Sequence, residues 1–429
     1  MRLRDWDLNL KIRLFGEGMT NLLFWMFYPF MTIYFSDAFG KETAGALLIV
    51  TQIISVVIGL VGGYCADHFG RKKMMVLSSI GEAISFVIFA LANSPWLTSP
   101  VLTLISFTLL GLFSQQLYWP ASNAMVADVV PEKHRSSVFA TFYTSFNISV
   151  VVGPLLGGIF FFNYRFPFLL VCFVVSVLLV IIFQKYIRET APVVQNKKIK
   201  VKEDKWYRYV AEQLHDYRIM TTDKIFLIFI LAGVLVAQTF TQLELAMAVY
   251  TTEEVPVQHV LSLGHLHFDI GGRQVFSGIV AENGLLVVLF TVLMTIWMTR
   301  YREKSVFMGS AFLYGISVIV FGLTTNIWIL FISIILFTIA ELMVVGIQDS
   351  FVSKLAPEHM RGQYFAASSL RFSLGRTIAP IAIPLTVWVG YSWTFIILGG
   401  IAFVGMGLYN LMFKLLAKKE QSQLKIAKL

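Results

Sequence analysis

The sequence predicts an all-α integral membrane protein of twelve transmembrane helices, arranged as two similar bundles of six. Three observations carry that prediction. Apolar residues make up 57% of the chain and charged residues only 14%, too few to give 429 residues a polar shell in water. Twelve apolar runs each approach the roughly 20 residues that cross a hydrocarbon core about 30 Å thick. A short polar block also recurs: Pro131-Glu132-Lys133-His134-Arg135 resembles Pro357-Glu358-His359-Met360-Arg361, 226 residues further on, each between two apolar runs. Duplicated helical halves in a membrane are the build of transporters far more often than of enzymes.

The runs fall at about 14–36, 43–66, 74–94, 100–126, 137–161 and 166–187, then at about 223–248, 277–299, 305–324, 327–353, 362–388 and 392–416. None alternates like a barrel strand, and every backbone polar group in lipid needs an internal partner, so helices are expected. The domain plan is a first bundle over 1–187, a cytoplasmic linker over 188–222, and a second bundle with a short tail over 223–429.

Of the 34 Lys and Arg, 29 fall in segments that are cytoplasmic if the N-terminus is; three lie outside (Lys41, Arg165, Arg273) and two within a span (Arg371, Arg376). That asymmetry predicts a multi-pass protein of the cell membrane with both ends in the cytoplasm. The net charge of +9 is then a topology signal, not a nucleic-acid footprint, and the basic rim would meet anionic lipid headgroups. The first run is too long for a cleaved signal peptide and lacks a small-residue cleavage site. Cys65 and Cys172 both fall in spans and are expected to be packing residues, with no disulfide or metal site implied.

The linker carries Lys197, Lys198, Lys200, Lys202 and Lys205, which should be solvated. Trp206, Tyr209, Val210, Gln213, Leu214 and Tyr217 then recur at helical spacing, predicting a short helix in the membrane interface that serves as a connector. The longest outer loop, about 249–276, holds Glu253, Glu254, His259, His265, His267 and Asp269. Its His spacing matches no helical ligand pair, so solvated His residues are expected there rather than a metal site.

Between spans two and three the chain reads Gly63-Tyr64-Cys65-Ala66-Asp67-His68-Phe69-Gly70-Arg71-Lys72-Lys73. Gly63 lets helices approach, Gly70 permits a tight turn, and Asp67 can cap a helix or pair with a cation. This resembles the G-x-x-x-D-x-x-G-R-K loop of the major facilitator superfamily, at the expected cytoplasmic position. The resemblance implies the major facilitator fold, with Gly63, Asp67, Gly70, Arg71 and Lys72 in a gating loop that pairs Arg71 with Asp128; a plain helix-end ion pair is the alternative. Span five holds Ser149, Gly153, Pro154, Gly157 and Gly158, with small residues at i, i+4 and i+8 for close contact and a proline expected to kink the span. That block resembles the antiporter motif of drug-exporting members of the superfamily, and the repeat sets Pro380 opposite Pro154.

Acids in apolar spans are costly, about 2.5 kcal/mol or more, so they usually face a cavity or a partner. Glu341 lies mid-span in the tenth helix with Gln348 on the same face, and its repeat partner is Gln115. Gln115, Trp119, Ser122 and Asn123 form a polar-aromatic stripe on the fourth helix, so the two matching helices could line one central cavity. A carboxyl there can load a proton and release it when its surroundings open; a buried structural acid is the alternative. Glu244 lies near Gln238 and Gln242 in the seventh helix, though not on one face with Gln238. Glu17 stands one turn after Arg13, fit for an internal pair or a substrate role. Glu82 and Asp349 are further cavity acids, and Arg371 is an in-span cation that needs a partner. Asn21, Trp25 and Tyr28 share a face that could stack on a cation or simply pack.

Taken whole, the sequence resembles twelve-span drug/proton antiporters of the superfamily over nearly its full length. By that resemblance Asp128, Glu244 and Glu341 couple to protons. Glu17 and Glu82 are additional to the pattern, and Arg371 stands where a Lys is expected. The expected function is proton-coupled export of lipophilic cations by alternating access, with protons as coupling ion, no cofactor, and the protein working as a monomer. The alternative is transport of a defined metabolite or an anionic, lipid-linked molecule gripped by Arg371. All seven His fall in loops or at span edges, which disfavours an intramembrane enzyme.

Overall fold

The computed structural model describes residues 3–190, 211, 223–263, 266–357 and 360–426, and is helical almost throughout. Eleven of the described helical stretches are long and apolar enough to cross a membrane. The last, Gln363–Lys419, holds two of the predicted spans. Within the helix that begins at Ala382, Gly390 adopts φ 78°, a conformation open to glycine, and divides the chain where the sequence placed a turn. The chain is thus a multi-pass membrane protein of nearly all-α build.

The first six helices are α1 (Leu8–Phe39), α2 (Lys41–Phe69), α3 (Arg71–Leu91), α4 (Pro100–Val129), α5 (Glu132–Asn163) and α6 (Arg165–Tyr186). The second six are α7 (Lys224–Glu254), α8 (Gly272–Met298), α9 (Glu303–Gly322), α10 (Ile327–Leu355), α11 (Arg361–Ile378) and α12 (Ala382–Ile426). Side chains close the exposed helix starts: Asp7, Ser99, Asp223 and Asn326 each accept from a backbone N–H of the first turn. Several spans are interrupted. Pro29 sits in a 3₁₀ turn, Tyr28–Phe30, within α1, and a matching turn, Thr241–Glu244, breaks α7. Pro380 lies in a further turn, Ala379–Ile381, whereas α5 continues through Pro154. The recurring polar block folds alike in both places: the His134 N–H donates to Pro131 O (2.8 Å) and the Met360 N–H to Pro357 O (2.9 Å).

The described residues divide into two compact units, those within Met1–Met31 and Val50–Ala211, and those within Thr32–Ile49 and Glu212–Leu429. In the first, α5 lies against α1 so closely that a Cβ at Gly153 would strike Trp25 and one at Gly157 the Met26 carbonyl. Ser149 Oγ donates to Gly18 O across the same seam (3.4 Å). Just before the motif loop, α2 closely approaches Gln116 at Gly59 and Gly62. Gly70, at φ 97°, makes the turn into α3. In the second unit, Tyr314, Phe337 and Phe395 anchor a core between α9, α10 and α12. The segment 32–49 is held there by Lys41 Nζ on Glu253 Oε2 (2.5 Å) and by Trp388 Nε1 donating to Glu42 (2.7 Å).

One expectation is corrected. The outer segment 249–276 is not a loop: α7 runs on to Glu254, and strands Gln258–Leu263 and Leu266–Ile270 form an antiparallel hairpin. His259 Nδ1 lies 2.9 Å from Asp269 Oδ1 across it, and the described residues hold no cluster of three or more His, Cys, Asp or Glu arranged for a metal. His265 and the linker helix expected from Trp206 lie outside the described residues.

Candidate functional site

Each unit encloses a cavity with a carboxyl in its wall. That of the second unit, about 180 Å³, is lined by α7, α9, α10, α11 and α12. Glu341 enters from α10, where Asn283 Nδ2 of α8 donates to its Oε2 (3.1 Å) and also to Thr338 Oγ1 (3.0 Å). The same Asn thus holds the carboxyl and the helix beside it. Immediately after the irregularity at Gly346–Ile347, Gln348 opens the last segment of α10 and faces the same cavity. With its amide turned oxygen-first, Gln348 accepts from the Arg371 guanidinium, 2.9 Å from Nη2. Arg371, 2% exposed, also donates from Nε to Ser368 O (2.9 Å) and lies over the Phe229 ring (4.4 Å). Gly233 makes room for its stem, since a Cβ there would strike it. Phe240, Tyr314 and Tyr409 supply the aromatic wall.

The first unit's cavity is small, about 20 Å³, and more polar. Its geometry comes from α4, which widens to a π-helix over Gly111–Tyr118 and there presents Ser114 and Gln115. Such widenings are frequent at functional sites. Gly81 of α3 admits the Phe113 ring, bringing α3 close enough for Ser79 and Glu82 to share the cavity with Thr20 and Asn21 of α1. Beside it, Arg13 Nε pairs with Glu17 Oε1 (2.5 Å), Ser122 donates to the same carboxyl, and Arg13 Nη2 donates to Asn123 (3.1 Å). Arg13 is 0% exposed and lies 4.1 Å over the Phe142 ring.

A third cluster holds the motif loop. Arg71 Nη1 pairs with Asp67 (2.7 Å) and Nε with Asp128 (3.3 Å), while the Arg71 and Lys72 N–H groups donate to Glu189. Asp128 therefore belongs with Arg71 and Thr190 and does not line the cavity of its own unit.

The structure thus brings Glu341, Gln348 and Arg371 together, and separately Asn21, Gln115 and Trp119. Others go elsewhere. Gln238 and Gln242 are buried and bonded to each other, with Gln242 Nε2 donating to Ala379 O (3.2 Å) at the turn before α12. Trp25 and Tyr28 join an aromatic cluster with Phe24, and Glu244 ends the α7 turn without lining the cavity. Sequence reading missed Asn283 and Glu282, adjacent on α8; Glu282 Oε2 is buried with no hydrogen-bond partner among the described residues. An acid inside an apolar run was the signal that could have found Glu282.

Duplicated bundles of membrane helices, with carboxyls in intramembrane cavities, define a transporter rather than an enzyme. The Major Facilitator Superfamily profile matches residues 14–271 and 260–428, and the chain belongs to that family. It is 50% identical, over 98% of its length and 99% of the relative's, to a Na(+), Li(+), K(+)/H(+) antiporter of Planococcus maritimus. More distant is the multidrug resistance protein MdtH of Citrobacter koseri, 26% identical over 91% of this chain and 87% of that one. Among solved structures, a POT family transporter in complex with 5-aminolevulinic acid superposes with TM-score 0.75 at 17% identity, covering 94% of this chain and 95% of that one. Exchange against an ion gradient requires no cofactor.

Proposed function

We propose that the protein is a proton-coupled antiporter that exchanges small monovalent cations for protons by alternating access. The observation that carries this is Glu341: a carboxyl within a membrane span, facing a cavity, with Asn283 its hydrogen-bond donor among the described residues. The carboxyl lines the cavity and can take a proton from it. A charged group at such depth costs about 2.5–3.5 kcal/mol, a cost that favours proton loading when the cavity closes and release when it opens to water. Arg371 and Gln348 fix the opposite wall, and Glu244 and Asp128 are secondary proton carriers in this reading. The full-length likeness to the Planococcus antiporter supports inorganic cations as cargo.

The aromatic wall of Phe240, Tyr314 and Tyr409 favours a second reading, lipophilic cations, which the likeness to MdtH also supports. Size favours the first: this cavity, about 180 Å³, is smaller than the roughly 300–1,000 Å³ of pockets that hold drug-sized molecules. The test is purified protein in liposomes with an acid interior. Proton exit should drive ²²Na⁺ uptake, and collapse of the gradient with nigericin should stop it. Uptake of tetraphenylphosphonium but not ²²Na⁺ would reverse the order of the two readings.

A further inference from the structure

The small cavity of the first unit has a chemistry the exchange at Glu341 does not use. Glu82 is 7% exposed, lines the cavity, and forms no ion pair or hydrogen bond among the described residues. Around it the hydroxyls of Thr20 and Ser79 and the amides of Asn21 and Gln115 likewise have no hydrogen-bond partner there. Oxygen atoms from a carboxylate, hydroxyls and amides make the ligand set of a hard cation.

Resting on the reading of the protein as a cation antiporter, we propose that this pocket binds one alkali-metal cation, stripped of most of its water, on the Glu82 carboxylate and the oxygens of Ser79, Asn21 and Gln115. Size supports it: about 20 Å³ is the room of a single water or a bare monovalent ion, against a minimum of roughly 10–15 Å³ for one water. Charge supports it independently. The neighbouring Arg13–Glu17 pair is closed on itself by a 2.5 Å bridge, so its charges cancel. Among the described residues, Glu82 is then the one uncompensated charge in the pocket, which a single positive charge neutralises and a divalent ion overshoots. The π-helical segment of α4 is what turns Gln115 toward Glu82, so the backbone irregularity and the site share one cause.

Competition follows from the same carboxyl. A proton on Glu82 removes the ion's charged ligand, and a bound ion keeps the proton off. The titratable groups facing Glu82 are Glu17 from α1 (held by Arg13), Tyr118 from α4 and Cys172 from α6. None of these supplies a second free carboxylate, so ion and proton compete one for one for this pocket.

The experiment is equilibrium binding of ²²Na⁺ to the full-length protein in detergent, by scintillation proximity, with choline chloride holding ionic strength. The expected result is one saturable site per chain at alkaline pH, displaced by unlabelled Na⁺, Li⁺ or K⁺ and not by tetraphenylphosphonium. Affinity should fall by about tenfold per pH unit on acidification, once the carboxyl titrates. Glu82→Gln should abolish the binding, and Gln115→Leu, which keeps the carboxylate, should weaken it by about tenfold or more. Monodisperse elution of each variant controls for folding. Binding that survives Glu82→Gln overturns the site while leaving antiport standing. A protein that exchanges protons for Na⁺ in liposomes but shows no saturable site also overturns it. Absence of both binding and exchange overturns the antiport reading itself.

Discussion

Replacing Arg13 with Met leaves the Glu17 carboxylate buried without its counter-charge. The guanidinium is 0% exposed, bridges Glu17 at 2.5 Å, donates to Asn123 and lies on Phe142, so nothing in water substitutes for it. Breaking a buried pair by removing one partner costs about 3–5 kcal/mol. Ser122 still donates to Glu17 and offsets about 1 kcal/mol, so Arg13→Met should cost about 2–4 kcal/mol. Glu17→Gln should cost less. It leaves Arg13 with the Asn123 carbonyl and the Phe142 face, a cation–π contact of up to about 2 kcal/mol when desolvated. In the double variant no unpaired charge remains, so it should be more stable than Arg13→Met alone by about 1 kcal/mol or more. The assay is SDS-driven unfolding of the purified protein in mixed micelles, followed by circular dichroism. A cost for Arg13→Met within about 0.5 kcal/mol of zero, or strict additivity of the two single changes, would refute the reasoning.

Three further outcomes are expected. Gly157→Ala sets a Cβ against the fixed Met26 carbonyl and should destabilise by about 1–3 kcal/mol, whereas Gly407→Ala, with open space around it, should gain about 0.5–1 kcal/mol from helix propensity; the same unfolding assay checks both. Arg371→Lys loses the paired donation to Gln348 and the flat stacking on Phe229, and should slow exchange about tenfold, measured in liposomes. Asn283→Ala removes the donor that orients Glu341 and should slow exchange without ending it, while Glu341→Gln ends it.

The parts of this fold that local chemistry decides could be read before any coordinates. Long apolar runs marked the spans, and the Pro131 and Pro357 blocks marked a turn made twice. A pair close along a helix, Arg13–Glu17, follows from the i, i+4 spacing. What could not be read depends on how helices depart from regularity. A 3.6-residue period put Gln115, Trp119, Ser122 and Asn123 in one stripe, but the π segment turns Gln115 and Trp119 into a pocket while Asn123 goes to Arg13. Gln238 and Gln242 looked like cavity residues because they are polar in an apolar span; they instead satisfy each other and a carbonyl near Pro380. Asn283 was missed because an Asn in a span gives no charge signal, and only tertiary packing sets it beside Glu341.

Proton–cation exchange through Glu341 is tested most directly in everted membrane vesicles carrying a respiration-generated pH gradient, with acridine orange reporting its collapse on addition of NaCl. Vesicles with the intact protein should lose the gradient, and those with equal amounts of Glu341→Gln should keep it. Collapse at the same rate in both would contradict the account.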